Sequence, residues 1–255
     1  MTPLAALLFL ACAALATFVQ TLTGFAMGLV LLGLVGAFHV VGLPDAANVS
    51  SVLSIANAWI VLRGPNGMFD RQAWRDTLTG SLVGVVVGVL LLHWLSGSVV
   101  SVLRVLLGLT ILGCAAMLVV HTRPLPERSS RRSFTGIGLI SGLMSGLFSA
   151  AGPPLVYQFY RQPMALATIR QTLSAVFACN ALLRITMTVS TGQFSLHALW
   201  LSLATLPLVL GLTAWLSRHP PKWSPQVVRK LVCVLLIFTG GSLVLPSVAG
   251  WLRLL

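Results

Sequence analysis

Acidic side chains are the scarcest feature of this sequence: four Asp and Glu in 255 residues, against sixteen Lys and Arg. Charged residues together make up 8% of the chain, where a soluble domain needs about 25% to clothe its surface. That shortage excludes a soluble globule of this size. Asp45, Asp70, Asp76 and Glu127 all fall at the ends of apolar runs or between them. Cation sites and many proton relays inside membranes rest on buried carboxylates, so their lack argues against a cation transporter and suits an anionic cargo. Cys12, Cys114, Cys179 and Cys233 each lie inside an apolar run, with no C-x-x-C pair among them. They read as small packing residues rather than redox or metal groups. His39, His93, His121, His197 and His219 are scattered near segment ends without ligand spacing, so neither a metal site nor a cofactor is expected. The net charge of +12 sits in short loops rather than on one face of a folded module, which argues against nucleic acid as a partner.

What the chain does have is apolar length, at 57% hydrophobic residues. About 20 apolar residues cross the roughly 30 Å of bilayer hydrocarbon. Runs that qualify span 77–95, 101–120, 171–189, 198–216 and 231–250, with a shorter one over 46–62. The stretch from Met1 to Ala16 lacks a positive n-region and runs straight on, so it reads as the start of the first membrane segment rather than a cleaved leader. Two runs have awkward lengths. Residues 3–42 are too many for one crossing, and residues 134–160 are too many for one straight crossing and too few for two. Both are interrupted midway by Gly, Ser, Thr or Pro. Lys and Arg concentrate in the loops 63–76, 121–132 and 217–230, and are missing near 43–45, 96–100 and 190–197. Basic loops prefer the cytoplasm. All of them share one side only if 134–160 enters and returns as a hairpin.

The chain also repeats itself. Trp94-Leu95-Ser96 recurs as Trp215-Leu216-Ser217, Asn57-Ala58 as Asn180-Ala181, Thr23-Gly24 as Ser145-Gly146, and Val102-Leu103-Arg104 loosely as Val227-Val228-Arg229, at offsets of 121 to 125. Each half opens with a broken segment followed by three helices. Counting the hairpin as two gives an odd number, which turns the second half upside down, the plan of many secondary transporters. The expected fold is all-α: a polytopic integral membrane protein of two inverted repeats of about five helical segments, the first two of each forming a broken or re-entrant hairpin. Residues 1–120 form the first repeat, 121–133 a basic cytoplasmic linker and 134–255 the second repeat.

A helix broken inside the membrane must bury its freed backbone groups in protein or turn them to a polar cavity. The N-terminus of a returning half-helix offers N–H groups and a dipole to an anion. Pro153 and Pro154 suit a first helical turn, and Gly152, Gly24 and Gly28 allow close backbone approach. Glycines four apart, such as Gly24 and Gly28 or Gly142 and Gly146, also serve plain helix packing. Gln20, Thr21, Thr23 and Ser149 bring neutral hydrogen-bond donors to the tips. Asn57 and Asn180 are either interhelical hydrogen bonds of ~0.6 kcal/mol or ligand groups. Arg170 and Arg184 either snorkel to the interface, the favoured reading, or face the cavity.

The run Ser-Gly-Leu-Met-Ser-Gly-Leu-Phe-Ser-Ala-Ala-Gly-Pro-Pro at 141–154 lies within Gly138–Tyr157. Together with Gln20–Leu34 and Arg170–Phe177 it resembles the TauE/SafE sulfite exporter family. The resemblance covers nearly the whole chain. It implies a bacterial inner-membrane, multi-pass transporter that moves sulfite, an organosulfonate or a related sulfur anion, usually outward. The chain departs from the glycine runs frequent at the family's tips.

The function expected is a secondary transporter working by alternating access, with a small anion and the lipid bilayer as partners; a homo-oligomer is left open. One alternative is an intramembrane enzyme of serine-protease type, suggested by Ser149 near Gly152, though a nucleophile needs a base within reach and no histidine lies mid-segment. Another is a structural subunit of a membrane complex.

Overall fold

Apolar residues on all sides leave the backbone no partner but itself, and in lipid that selects helices. The computed structural model describes residues 3–63, 69–95, 100–119, 125–150, 152–219 and 225–252, and the regular elements among them are all α-helices. They run α1 (Pro3–Thr23), α2 (Met27–Phe38), α3 (Leu43–Leu62), α4 (Arg71–Leu95), α5 (Val100–Val119), α6 (Arg131–Phe148), α7 (Gly152–Tyr160), α8 (Leu166–Ser190), α9 (Leu196–Arg218) and α10 (Pro225–Leu252). Five of them, α1, α3, α4, α8 and α9, are long and apolar enough to cross a bilayer. The two awkward runs resolve into the pairs α1–α2 and α6–α7, each broken by a short non-helical step.

Several helices extend past the apolar runs. Helix α4 starts at Arg71 rather than near 77 because Asp70 caps it, its Oδ1 accepting from the Ala73 N–H at 2.8 Å. A polar first turn carrying Trp74 and Arg75 fits the bilayer interface, where such side chains are favoured.

Cross-helix contacts fix the directions. Asp70 N–H donates to Thr172 Oγ1 and Ser81 Oγ donates to Asn180 Oδ1, so α4 and α8 run parallel. Asn48 Nδ2 donates to Gln193 O, and Ser195 Oγ to Asp45 Oδ1, so α3 starts where α8 ends and runs antiparallel to it. The Leu125 N–H donates to Arg161 O at 2.7 Å, and Gln162 Nε2 to Ser129 Oγ at 2.9 Å. The α6–α7 pair therefore enters and leaves at one face. That face also carries the Arg128–Asp70 ion pair at 3.2 Å. The α1–α2 pair does the same at the opposite face: Asn57 Nδ2 donates to both Thr21 Oγ1 and Thr213 Oγ1, which aligns the ends of α1 and α9. Exposed Trp59 and Trp215 lie toward the basic face, and exposed Trp94 and Trp200 toward the other, as interfacial anchors do.

The most extensive packing joins α4 to α6. Gly80, Gly84 and Gly88 face Gly138, Gly142 and Gly146 at four-residue spacing. A Cβ on any of the six would meet a backbone carbonyl of the other helix at 2.0 to 2.5 Å. This is backbone-to-backbone packing through small residues. Helix α4 packs with α8 and α6, α9 with α3 and α1, and α5 against α10. The first two groups meet through α3 and α8.

Replacing Gly142, whose Cβ would lie 2.0 Å from Ser81 O, by Ala is expected to cost about 1–3 kcal/mol as overpacking. Gly113, with nothing within 4 Å of its Cβ, serves as control. Thermal denaturation of the purified protein checks this: Gly142→Ala lowers Tm and Gly113→Ala leaves it in place.

Candidate functional site

The breaks in the two hairpins are built from residues that accept unusual backbone angles. Gly24 has φ +80° and Ala26 φ 81° between α1 and α2; Ser149 ends α6 at φ 55° with its N–H on Ser145 O at 2.8 Å. A left-handed residue ends a helix while satisfying its last carbonyls. The two tips then meet. A Cβ on Gly28 would lie 2.2 Å from Ser149 O, and one on Gly152 would lie 3.3 Å from Phe25. Glycine at 28 is thus required by the approach of the second tip's backbone rather than by the packing of two long helices.

A small cavity, partly open to the outside, lies between the tips. Gln20, Met27 and Gly28 line it from the first tip, Ser145, Ser149 and Gly152 from the second. Ser54 on α3 and Phe177 and Ala181 on α8 complete it. These positions fall near the middle of their helices, which places the cavity near mid-depth of the bundle.

The polar groups around it are mostly committed. Gln20 Oε1 accepts from the Met27 N–H at 2.9 Å, capping the first turn of α2 from within. That leaves the Gln20 amide NH₂ as its donor end. Thr23 is spent on its own turn, its Oγ1 contacting Val19 O, Phe25 O and the Phe25 N–H. Thr21 Oγ1 donates to Thr17 O and accepts from Asn57. Asn57, buried, gives both of its amide hydrogens to Thr21 and Thr213, at 3.0 and 2.9 Å, and does not line the cavity. Asn180 accepts from Ser81 Oγ at 2.8 Å while its buried Nδ2 has no partner. Pro153 and Pro154 stand in the first turn of α7, as the dipole argument requires; the Pro153 side chain and Ala151 lie outside the described residues.

The two arginines of α8 lie on either side of the cavity. Arg184 is the largest fully buried side chain of the described residues, at 1% exposure. Snorkelling to the interface, the reading favoured from sequence, is therefore corrected. Its Nε donates to Gly146 O at 3.1 Å and its Nη1 to Asn48 Oδ1 at 2.9 Å and Ser51 Oγ at 3.2 Å. Snorkelling fails because polar oxygens from α3 and α6 surround the guanidinium. The ion pairs among the described residues involve Arg128, Arg131 and His197 rather than Arg184. Its charge is balanced instead by neutral acceptors and by the negative end of the α6 dipole, which contributes up to ~2 kcal/mol in buried settings. Arg170, on the basic-face side, packs over Gly24, its Cγ 3.2 Å from a Cβ placed there. It contacts Tyr160, whose hydroxyl donates to Thr23 O at 3.1 Å. Its own buried Nε has no partner. Ser149 Oγ lies 2.8 Å from Ser51 Oγ, a hydroxyl with no basicity to activate a nucleophile.

A family model for the sulfite exporter TauE/SafE matches residues 9–243. The chain belongs to the TauE/SafE family. It is 35% identical over 235 residues to a probable sulfite/organosulfonate exporter TauE of Cupriavidus necator, covering 92% of each chain. It is 31% identical over 186 residues to a probable inner membrane transporter protein TsaS of Comamonas testosteroni, covering 69% of this chain and 74% of that one. No solved structure matches significantly. This TauE/SafE member is accordingly a multi-pass inner-membrane transporter.

Sequence reasoning missed Asn48, Ser51 and Ser54 on α3 of the TauE/SafE chain. A signal was present: polar residues recur at 48, 51, 54 and 57, every third position of an otherwise apolar helix. Such spacing lays them along one face.

Asn57→Ala removes two hydrogen bonds distant from the cavity wall. It is expected to lower stability by roughly 1–3 kcal/mol without changing the affinity for substrate, as read by thermal denaturation and ligand binding on the same preparation.

Proposed function

We propose that this TauE/SafE protein exports a small sulfur-containing anion, such as sulfite or an organosulfonate, across the inner membrane by alternating access. The observation that carries this reading is the meeting of two broken hairpins around one cavity near mid-depth. Discontinuous helices at a midplane site are the usual construction of secondary transporters. The cavity offers the α2 and α7 N-termini and the neutral donors Gln20 and Ser149. A fixed positive charge, Arg184, stands behind Ser51. That donor set suits an oxyanion, and among the described residues the lining carries no carboxylate for a cation. The named specificity of the Cupriavidus relative is of the same chemistry.

In this reading residues 1–120 and 134–255 are inverted repeats and 121–133 is the cytoplasmic linker, the basic face lying in the cytoplasm. The antiparallel course of α3 and α8, each third in its half, supports the inversion. The moving bodies are not the two sequence halves, because α4 and α6 are locked across them. Helices α3 and α8, which pack against each other, contribute facing walls of the cavity. Arg170, Tyr160 and Gly24 close the path from the cavity toward the basic face. Of the remaining sequence candidates, Gly28, Gly152, Pro153 and Pro154 shape the tips. Thr23 braces the first tip, Asn57 joins α3 to Thr21 of α1 and Thr213 of α9, and Asn180 joins α8 to α4. This assignment favours a transporter over an enzyme or a structural subunit.

Counterflow of labelled sulfite or a small organosulfonate in proteoliposomes tests the reading. The unmodified protein is expected to exchange label, Gly152→Leu to abolish exchange by filling the cavity, and Gly113→Ala to retain it. Unchanged exchange in Gly152→Leu removes the site assignment.

A further inference from the structure

Ser51 owns one hydroxyl hydrogen and stands among three polar neighbours. Arg184 Nη1 donates to its oxygen at 3.2 Å. Ala47 O lies 3.0 Å away as an acceptor. Ser149 Oγ lies 2.8 Å away, and either hydroxyl can donate to the other. A guanidinium has donors and no acceptors, so Arg184 always occupies an acceptor position on Ser51. The Ser51 hydrogen then has two destinations with opposite consequences. Turned to Ala47 O, it obliges Ser149 to donate back to Ser51, and Ser149 offers only lone pairs to the cavity it lines. Turned to Ser149, it frees the Ser149 O–H to donate into the cavity.

Arg184 does not itself line the cavity, and it is clamped. Asn48 Oδ1 accepts from Nη1 at 2.9 Å while Asn48 Nδ2 donates to Gln193 O at 3.0 Å, and Gly146 O accepts from Nε at 3.1 Å. Its charge reaches the cavity through Ser51 and Ser149 in series.

We propose that Ser51 is a specificity-determining positioning residue, whose hydroxyl rotates from Ala47 O to Ser149 when an anion enters the cavity. The chain Arg184 to Ser51 to Ser149 to anion then has every donor pointing one way, and aligned donors polarise one another. No covalent bond is made or broken; the Ser51 and Ser149 O–H groups both turn. A neutral ligand of the same shape gains little from the rotation and a cation is repelled by it. Ser51 thus sets the preference for charge rather than for shape. The inference rests on the reading of the cavity as an anion site.

The test uses the full chain in nanodiscs, with binding of methanesulfonate, its neutral analogue methanesulfonamide, and sulfite measured by calorimetry. Ser51→Ala is expected to raise the Kd for sulfite and methanesulfonate about tenfold, because Ser149 keeps its hydrogen but loses the donor that links it to Arg184 and strengthens its hydrogen bond to the anion. Its affinity for methanesulfonamide stays the same, so discrimination collapses. Ser51→Thr, which keeps the hydroxyl, retains it. The double variant of Ser51→Ala with Ser149→Ala binds no more weakly than Ser149→Ala alone, because the two act in series. Additive losses, or equal losses for the anion and the amide, overturn the relay while leaving the anion site standing. A wild type that binds neither sulfite nor methanesulfonate overturns the anion reading and this inference with it. Should Ser51→Ala fail to fold, Ser149→Ala and Ser51→Thr still decide: equal losses of anion and amide in the first, or lost discrimination in the second, overturn the proposal.

Discussion

An interrupted helix inside hydrocarbon has nowhere to send its freed N–H and C=O groups, and the architecture follows from how this chain answers that demand. Gln20 folds its carbonyl onto the first turn of α2. Thr23 fills the turn beneath it. Ser149 adopts a left-handed backbone that returns its N–H to Ser145. The two tips are pressed together until Gly28 touches the Ser149 carbonyl. Each break is thereby covered by protein, and the space left between them is polar without being wet lipid-facing surface.

Charge is placed with the same economy. A cation set directly in the cavity would hold an anion tightly, and a carrier must also let go. Arg184 is kept back from the cavity, held among Asn48, Ser51 and Gly146, while the polar side chains of the lining, Gln20, Ser54, Ser145 and Ser149, are neutral. The desolvation cost of a lone buried guanidinium is several kcal/mol. It is offset by charge-assisted hydrogen bonds and by a helix C-terminus rather than by a carboxylate, which would cancel the field an anion feels.

Much of this was legible in the sequence. The two broken runs, the five-segment halves and the grouping of basic loops came from length, Gly and Pro positions and Lys/Arg asymmetry, because each reflects a one-dimensional constraint of the bilayer. Gly28, Gly152, Gln20 and Ser149 were found as tip residues for the same reason. What failed was anything that depends on which neighbour a side chain meets. Arg184 reads as a snorkelling residue until α3 is known to supply Asn48 and Ser51. Asn57 reads equally as a ligand group or an interhelical hydrogen bond until Thr213, 156 positions away, takes its amide. Gly142 and Gly146 did read as packing glycines; their partners Gly80, Gly84 and Gly88 went unnoticed because α4 is glycine-spaced without being interrupted. The polar stripe of α3 was visible and overlooked, since single serines in apolar helices are common.

The seam between α4 and α6 has a consequence for how the protein is made. Ribosomes deliver the chain from its N-terminus, so α4 reaches the bilayer before α6 has been synthesised. Until then its three glycines present a groove that only lipid tails can occupy, and α3 waits with Asn48 and Ser51 unclaimed by any guanidinium. The first five helices alone are an unfinished surface. Insertion of the sixth and eighth completes them, α6 filling the glycine groove of α4 and α8 bringing Arg184 to Asn48 and Ser51.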